Sequence, residues 1–287
     1  MASMRDIKRR KSSIQSTQQI TKAMKLVSTV KLQRTKQRAE QSKTYFDAMY
    51  KTVTSMLSKT GGLNHPYLKA GESEKKAVIV ITSNRGLAGG YNSNVTKLIT
   101  KGEFKKEDLV LYTIGKKGNE TFRRMGYNVV WDCAEMIEEP KYDEAMKLSK
   151  EILTGFSNGE FGEIYLAYTA FKNTISHEPK LIKLLPYEVD DSVVVAEEQE
   201  DNVLMNFEPK DEEALNLIIP KYITSLIFGG MVEAAASENG ARMQAMDSAT
   251  SNAEEMISSL SLMYNRARQG SITQELTEIV AGANAIS

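Results

Sequence analysis

The chain has 287 residues, and its 37 basic and 37 acidic side chains balance to a net charge of zero. This length allows one large domain or two small ones, so the size of the core is not limiting. The single cysteine, Cys133, excludes an internal disulfide, and two isolated histidines, His65 and His177, do not make a convincing metal site. We expect no membrane-spanning segment, because no apolar run approaches the length that one needs.

The charge is unevenly distributed. Residues 1–60 carry 14 basic and 3 acidic side chains, whereas residues 188–213 carry 11 acidic side chains against Lys210. Zero net charge therefore conceals a basic arm and an acidic segment. The N terminus is basic but lacks the apolar region of a secretory signal, so a cytoplasmic protein is the default expectation. Composition alone leaves a mitochondrial transit peptide open.

A first long helix is predicted over residues 3–59, which contain no glycine or proline before the Gly61–Gly62 pair. Ile7 and Ile14 are one heptad apart, and further apolar residues continue the stripe at Ile20, Ala23, Met24, Val27 and Val30. The stripe lapses over 31–44 and resumes at Tyr45. A helix of this length is stabilised by burying its apolar face, so we expect the C-terminal segment to be its partner.

The middle of the chain follows a different pattern. Residues 76–82 form a continuous apolar, β-branched run, which is typical of a buried parallel strand. Alternation of strands with helices predicts an α/β domain with a largely parallel sheet. The expected strands are 76–82, 109–114, 128–133, 164–171 and 181–185, and the expected helices are 91–101, 116–125 and 142–156.

The segment from 211 to 286 contains one proline, Pro220, and predicts a second helix on the order of 110 Å long. Its apolar residues recur every three to four positions, as in a coiled-coil seam. These residues are Ala253, Met256, Ile257, Leu260, Met263, Tyr264 and Ala267. The seam lapses over 268–275 and resumes at Leu276.

These elements predict an α/β fold in which a long antiparallel coiled coil of N- and C-terminal helices carries an inserted Rossmann-like α/β domain. The expected segments are 1–60, 70–200 and 210–287. The second helix is longer, so its tip at 276–287 should extend about 25 Å beyond the first helix. Glu278 is the only charge in this tip, and such an apolar tip requires burial by another protein.

Two stretches raise the question of ligand binding. The loop Ser83–Asn92 follows a strand and opens a helix, but its glycines match neither GxGxxG nor GxxxxGK[ST], so a tight turn explains it better than a nucleotide site. We find no GxSxG or HExxH motif. Residues 5–38 of the basic arm contain no aromatic side chains for base stacking, so an acidic protein partner is favoured over nucleic acid.

The polar residues 268–275 give the sharpest functional signal. They lie between an apolar seam and an apolar tip, and Arg268 with Gln269 offers donors suited to carboxylate or amide partners. The alternative is the ordinary solvated face of a coiled coil.

Three stretches carry a resemblance to a known family. They are Ile20-Thr-Lys-Ala-Met24, Ser83-Asn-Arg-Gly-Leu-Ala-Gly-Gly-Tyr-Asn92 and Tyr264-Asn-Arg-Ala-Arg-Gln-Gly-Ser-Ile-Thr-Gln-Glu-Leu-Thr-Glu-Ile-Val280. Together they closely resemble the gamma subunit of F-type ATP synthase, and the resemblance extends over the whole chain in order. It implies the same fold as the residue patterns do.

The resemblance implies a non-catalytic rotor subunit that binds no nucleotide, cofactor or metal. Its shaft would turn inside a hexamer of alternating alpha and beta subunits and couple proton or sodium flow to ATP synthesis or hydrolysis. Its globular end would rest on a membrane ring of c subunits with epsilon beside it. This places it as a peripheral protein on the cytoplasmic side of a bacterial cell membrane.

The resemblance also implies roles for particular residues. Arg268 and Gln269 would contact a beta-subunit loop, supported by Thr273 and Glu275. Met24 and Lys25 would face an acidic lever of beta, with Arg242 on the opposite helix. Lys11 stands where the family is expected to carry an apolar residue, which questions the pairing of the first helical turns.

A foot on the c-ring is expected near residues 203–208, where Leu204, Met205 and Phe207 form a small apolar cluster among acids. Two alternatives remain open on the sequence: a non-catalytic coiled-coil adaptor, and a nucleotide-binding α/β protein.

Overall fold

Two long helices enclose an α/β domain in chain order. A computed structural model describes residues 4–59, 65–69, 71–187 and 211–286. Helix α1 spans Met4–Lys59 and helix α5 spans Asp211–Ile286. Between them lie β1 (Lys76–Ile81), α2 (Tyr91–Thr100), β2 (Leu109–Ile114), α3 (Lys116–Arg124), β3 (Asn128–Cys133), α4 (Tyr142–Ser157), β4 (Glu163–Phe171) and β5 (His177–Leu185). The predicted fold class is confirmed.

The chain divides into two compact units. The coiled-coil unit contains residues 1–28 and 242–287, and the α/β unit contains residues 29–241. Both long helices therefore contribute to both units. The three-segment division expected from the sequence follows chain order and stays a prediction.

The α/β unit is built on a five-stranded sheet in the order β3-β2-β1-β4-β5. Strand β1 pairs in parallel with β2 and β4, and β3 pairs in parallel with β2. Residues 77–81 of β1 are fully buried, as expected of a β-branched run in the centre of a parallel sheet. Strand β5 runs antiparallel to β4 and begins at His177, four residues before the predicted start.

Each face of the sheet is covered by helices. On one face, Val95 and Ile99 of α2 and Phe122 of α3 pack against the strands. On the other face, α4 and the stretch of α5 from Leu215 to Ala235 form the larger core. A long apolar stretch of α5 is thus part of the core of the α/β unit.

A glycine pair lets α5 approach both this sheet and α1 closely. A Cβ atom on Gly230 would lie 3.0 Å from Cδ2 of Leu166, and one on Gly229 would lie 3.1 Å from the ring of Phe46. Glycine inside a helix costs about 1 kcal/mol relative to alanine. The close contact of the helix backbone with its neighbours offsets that cost.

The coiled-coil unit is an antiparallel helix pair with a regular heptad seam. Along α1 the shielded positions alternate by three and four residues, at Met4, Ile7, Lys11, Ile14, Gln18, Thr21, Lys25 and Ser28. Along α5 they recur at Met246, Thr250, Ala253, Ile257, Leu260, Tyr264, Ala267 and Ser271. The predicted antiparallel coiled coil is confirmed, but much of the α1 seam is polar.

Lys11 occupies one of these seam positions, between buried Ile7 and half-buried Ile14. Helix α1 is continuous on both sides of it. A lysine can bury its aliphatic stem while its ammonium group reaches water. The lysine is therefore compatible with pairing of the first helical turns.

The expectation that no apolar run is long enough to span a membrane is wrong for α5. Helix α5 contains an 18-residue window with a mean hydropathy of at least 1.2, so by length and composition it could cross a membrane. However, 56% of this window is buried within the protein. Burial of this kind is what a core helix requires.

Candidate partner-binding surface of the coiled coil

Polar side chains connect the two helices across the seam. The Thr21 and Thr250 hydroxyl oxygens lie 2.8 Å apart and are buried. On one side of this pair, Gln18 Nε2 donates to Glu254 Oε1 at 3.0 Å. On the other side, Lys25 Nζ lies 2.5 Å from Asp247 Oδ1.

The apolar side chains of α1 at this level point away from the seam. Ile20, Leu26, Val27 and Val30 are 58–66% exposed. The expectation that Ile20, Val27 and Val30 continue the pairing stripe is therefore wrong. The outer face of the helix is therefore more apolar here than its inner face. We call the exposed residues Ile20, Leu26, Val27 and Val30 the outward apolar stripe.

A spacing signal in the sequence could have found the real seam. Positions 4, 7, 11, 14, 18, 21, 25 and 28 alternate by three and four, as heptads do. The pairing face was instead assigned from hydrophobicity. Gln18, Thr21 and Ser28 were passed over because they are polar. Polar seam positions can be satisfied by cross-helix hydrogen bonds, which hydropathy does not register.

Three predicted contact residues lie near this level. Met24 and Lys25 are half-buried on α1. Arg242 of α5 is only 9% exposed. Asp247, which bonds Lys25, was not singled out from the sequence.

The other predicted contact residues lie elsewhere on α5. Arg268, Gln269, Thr273 and Glu275 are all exposed. Arg268 follows Asp247 by 21 positions, which is about 32 Å along a helix. The structure thus places the predicted residues at two separate levels rather than in one site.

The seam does not lapse at Arg268 as expected. Ala267 and Ser271 keep the heptad spacing and are partly shielded, so the polar residues 268–270 lie on the outside of a continuing pattern. The hydroxyl of Thr273 donates to the backbone oxygen of Gln269 at 2.9 Å.

Beyond Ser271 the described side chains of α5 are exposed. The tip includes Leu276, Ile279 and Val280, which are 57–67% exposed. Large apolar side chains exposed together mark an interaction surface. The predicted foot residues Leu204, Met205 and Phe207 lie outside the described residues.

The loop 83–92 leads into α2, and the first residues of this loop also contact the start of α3, whose backbone amides are not available for a phosphate. The backbone N–H of Lys116 donates to Asn84 Oδ1 at 3.1 Å, and that of Gly118 donates to Thr82 Oγ1 at 2.8 Å. The N–H of Lys117 donates to the Ser83 oxygen at 3.0 Å. A helix N-terminus binds anions through such amides only when they are available.

The same loop is closed by its own side chains. Asn92 Oδ1 accepts from the Ser83 backbone N–H at 2.9 Å, and Asn84 Nδ2 donates to the Ala134 oxygen at 2.7 Å. In the described ranges no group of three or more His, Cys, Asp or Glu side chains is placed to hold a metal ion. These contacts favour a structural turn.

Comparison with known proteins identifies the family. The model of the ATP synthase family matches residues 3–286. The ATP synthase gamma chain of Lachnoclostridium phytofermentans is 65% identical, and the match covers 100% of both chains. The chain belongs to the ATP synthase gamma chain family.

Other matches agree with the gamma chain family. The ATP synthase gamma chain of Alkaliphilus metalliredigens is 44% identical over 99% of this chain and 98% of the relative. A chain from the Euglena gracilis mitochondrial ATP synthase, in a structure of OSCP, F1 and c-ring, matches with a TM-score of 0.70. That match covers 99% of this chain and 94% of the other at 18% identity, so it supports the fold.

Proposed function

We propose that this chain is the central shaft of an ATP synthase. In this role it is a non-catalytic subunit that turns inside a hexamer of alternating alpha and beta subunits, and it couples ion flow through a c-ring to ATP synthesis or hydrolysis. Membership of the gamma chain family supports this proposal. The complex would be peripheral, on the cytoplasmic side of a bacterial cell membrane.

The observation that carries the proposal is the outward apolar stripe. Ile20, Val27 and Val30 are mostly exposed, while the seam behind them is built from Gln18, Thr21 and Lys25. A helix pair with this distribution gains by burying its outer surface against other subunits. A bearing made of apolar contacts suits a shaft that turns, because such contacts are non-directional.

The proposed contact residues are those that the resemblance to the gamma subunit implies. Met24, Lys25 and Arg242 would meet the surrounding subunits at one level of the shaft. Arg268 and Gln269 would meet a beta-subunit loop near the tip, with Thr273 and Glu275 in support. We also propose that the chain has three functional segments, 1–60, 70–200 and 210–287.

An alkylation experiment tests enclosure of the shaft. Cys133 is replaced by serine, and Val27→Cys is introduced into the outward apolar stripe. We expect rapid reaction with a maleimide in the isolated chain. After assembly with alpha and beta subunits the reaction should slow by at least tenfold.

The control is Met146→Cys on α4, where the native methionine is 49% exposed. It should react at a similar rate before and after assembly. Equal labelling of Val27→Cys in both states would reject the enclosed shaft, and failure to assemble would reject the family role.

The foot has its own test. Leu204, Met205 and Phe207 are proposed to contact loops of the c-ring. Met205→Cys should crosslink to a c subunit in the assembled complex. Crosslinking only to alpha or beta subunits would refute this placement.

A further inference from the structure

The ion pair between Lys25 and Asp247 connects the two helices within the coiled-coil unit. Lys25 Nζ lies 2.5 Å from Asp247 Oδ1. The lysine side chain is 39% exposed and the aspartate side chain is 56% exposed. Both groups are therefore accessible from outside the pair.

The surrounding charges indicate what approaches Lys25. Residues 1–60 carry 14 basic side chains against 3 acidic ones, which fits an acidic partner surface. Lys25 also lies next to exposed Leu26 and Val27 of the outward apolar stripe. A partner that covers the stripe brings its own charges close to the lysine.

Asp247 and an acidic partner would compete for the same ammonium group. Exposed ion pairs contribute little individually, so the lysine can exchange one carboxylate for another at small cost. An ammonium group has three donors on a flexible stem, which makes such an exchange geometrically easy. The pair is thus suited to reversible rather than permanent contact.

We propose that Asp247 is an internal competitor that limits how strongly Lys25 binds an acidic segment of the surrounding subunits. In this account Asp247 is a positioning residue that acts through Lys25. Asp247 pairs with Lys25 when no partner carboxylate is near. The pair forms again when the partner carboxylate leaves. The inference rests on the proposed function, because it requires carboxylates of surrounding subunits that approach Lys25 and leave it as the shaft turns.

The test uses full-length chains that compete with labelled wild-type chain for assembly with alpha and beta subunits. Asp247→Asn keeps the shape of the side chain and removes its charge. At low ionic strength we expect it to outcompete the wild type by about two- to fivefold, the range for one exposed pair. The advantage should vanish at about 0.5 M salt, where such charges are screened.

Three further variants separate the role of Lys25 from a general effect of charge. In a Lys25→Gln background, adding Asp247→Asn should change nothing, because the group through which it acts is gone. Glu255→Gln removes one exposed charge from the same helix about two turns away and should not reproduce the gain. Asp247→Glu should compete as the wild type does.

Each contrary result would overturn the proposal. These are equal or weaker competition by Asp247→Asn, an equal gain in Glu255→Gln, or a gain that persists without Lys25. Thermal unfolding of every variant confirms that folding is unchanged. Failure of the wild-type chain to assemble would instead reject the proposed function.

Discussion

At the scale of single residues, His177 is half-buried, with both ring nitrogens turned away from water. Both of its ring nitrogens are shielded from water and, in the described part of the chain, make no hydrogen bond of acceptable geometry. Its ring packs near Phe171, with centroids 6.0 Å apart, and a Cβ atom on Gly240 would lie 2.6 Å from its Cε1. Glycine at position 240 leaves room for the imidazole.

Burial lowers the pKa of His177 below its ordinary value of 6.5, and the backbone of Thr174 offsets part of this effect. Charged side chains that flank His177 and Phe171 have other partners. Lys172 pairs with Glu178 at 2.7 Å, and Glu233 accepts the Phe171 N–H at 3.3 Å. The folded protein therefore favours the neutral imidazole.

This predicts a pH effect with a defined sign. The unfolded chain binds a proton at His177 more readily, so the free energy of unfolding should fall as the pH drops below about 6.5. Above that pH the residue is neutral in both states and contributes no slope. Thermal unfolding from pH 7.5 to 5 should show a steeper loss for the wild type than for His177→Gln.

His65 is the same in the wild type and the variant, so it cancels from the comparison. Equal slopes for the wild type and the variant would show that the buried imidazole does not control acid stability.

At the scale of elements, the Thr21–Thr250 pair explains how a polar seam is tolerated. Each hydroxyl also lies near a carbonyl of its own helix: Thr250 Oγ1 is 2.7 Å from the Met246 oxygen, and Thr21 Oγ1 is 3.0 Å from the Gln18 oxygen. A hydroxyl that loses its cross-helix partner therefore keeps a local acceptor. An unsatisfied buried group, which costs about 1–3 kcal/mol, is avoided.

A double-mutant cycle tests this account. Thr21→Val and Thr250→Val should each change the free energy of unfolding by less than about 1 kcal/mol, since the remaining hydroxyl stays satisfied. The double variant should be as stable as the wild type or more stable by about 1 kcal/mol, because it replaces a buried polar pair with apolar groups. Urea unfolding followed by helical circular dichroism measures all four proteins. A loss above about 2 kcal/mol in either single variant would contradict it.

The start of α1 predicts an electrostatic effect on assembly. Lys8, Arg9 and Arg10 are all exposed, and Arg9 lies 3.5 Å from Asp6. Replacing all three by glutamine should slow association with alpha and beta subunits several-fold at low salt, since clustered charges steer an acidic partner. The difference should disappear at high salt. Stopped-flow association rates measure it.

The matched control neutralises three exposed lysines of the α/β unit, Lys101, Lys105 and Lys180. It should leave the association rate unchanged. Equal slowing in both triple variants would indicate a general effect of net charge rather than a role for the N-terminal turns.

Sequence patterns predicted the elements better than the faces that they present. Strands β1, β2 and β3 were located within one residue, because continuous β-branched runs bounded by turns have few alternative structures. The outward direction of Val27 was missed, because apolarity was equated with burial inside a single chain. In a subunit of a complex, an apolar face can be reserved for a partner.

In the candidate site, too, the sequence predicted which residues are exposed better than it predicted their partners. Exposure of Arg268 and Gln269 agrees with a contact surface, but their roles rest on the resemblance and stay predictions. Asp247 could not be assigned from sequence, because its importance depends on the helix register that brings it to Lys25. Register is set by packing along both helices, which local patterns do not contain.

At the scale of the whole molecule, Arg268 and Gln269 should differ in function from the apolar tip that follows them. In the proposed contact, Arg268→Ala with Gln269→Ala would remove directional, charge-assisted hydrogen bonds worth about 1.5–3 kcal/mol. Truncation after Ala283 would remove only the last part of the proposed apolar bearing. We therefore expect the double variant to impair coupled ATP turnover more than the truncation does. Both chains should fold normally, since Arg268 and Gln269 are exposed and the truncation removes only the last four residues. Normal turnover in the double variant with loss in the truncated chain would reverse the assignment.

The central claim is that this chain turns inside the complex. Cys133 is its only cysteine and is partly exposed on the α/β unit, so a visible probe can be attached at one site. In a surface-fixed complex of alpha and beta subunits with this chain, ATP should drive continuous rotation of the probe in one direction. A probe that stays still while the same complexes hydrolyse ATP would contradict the account.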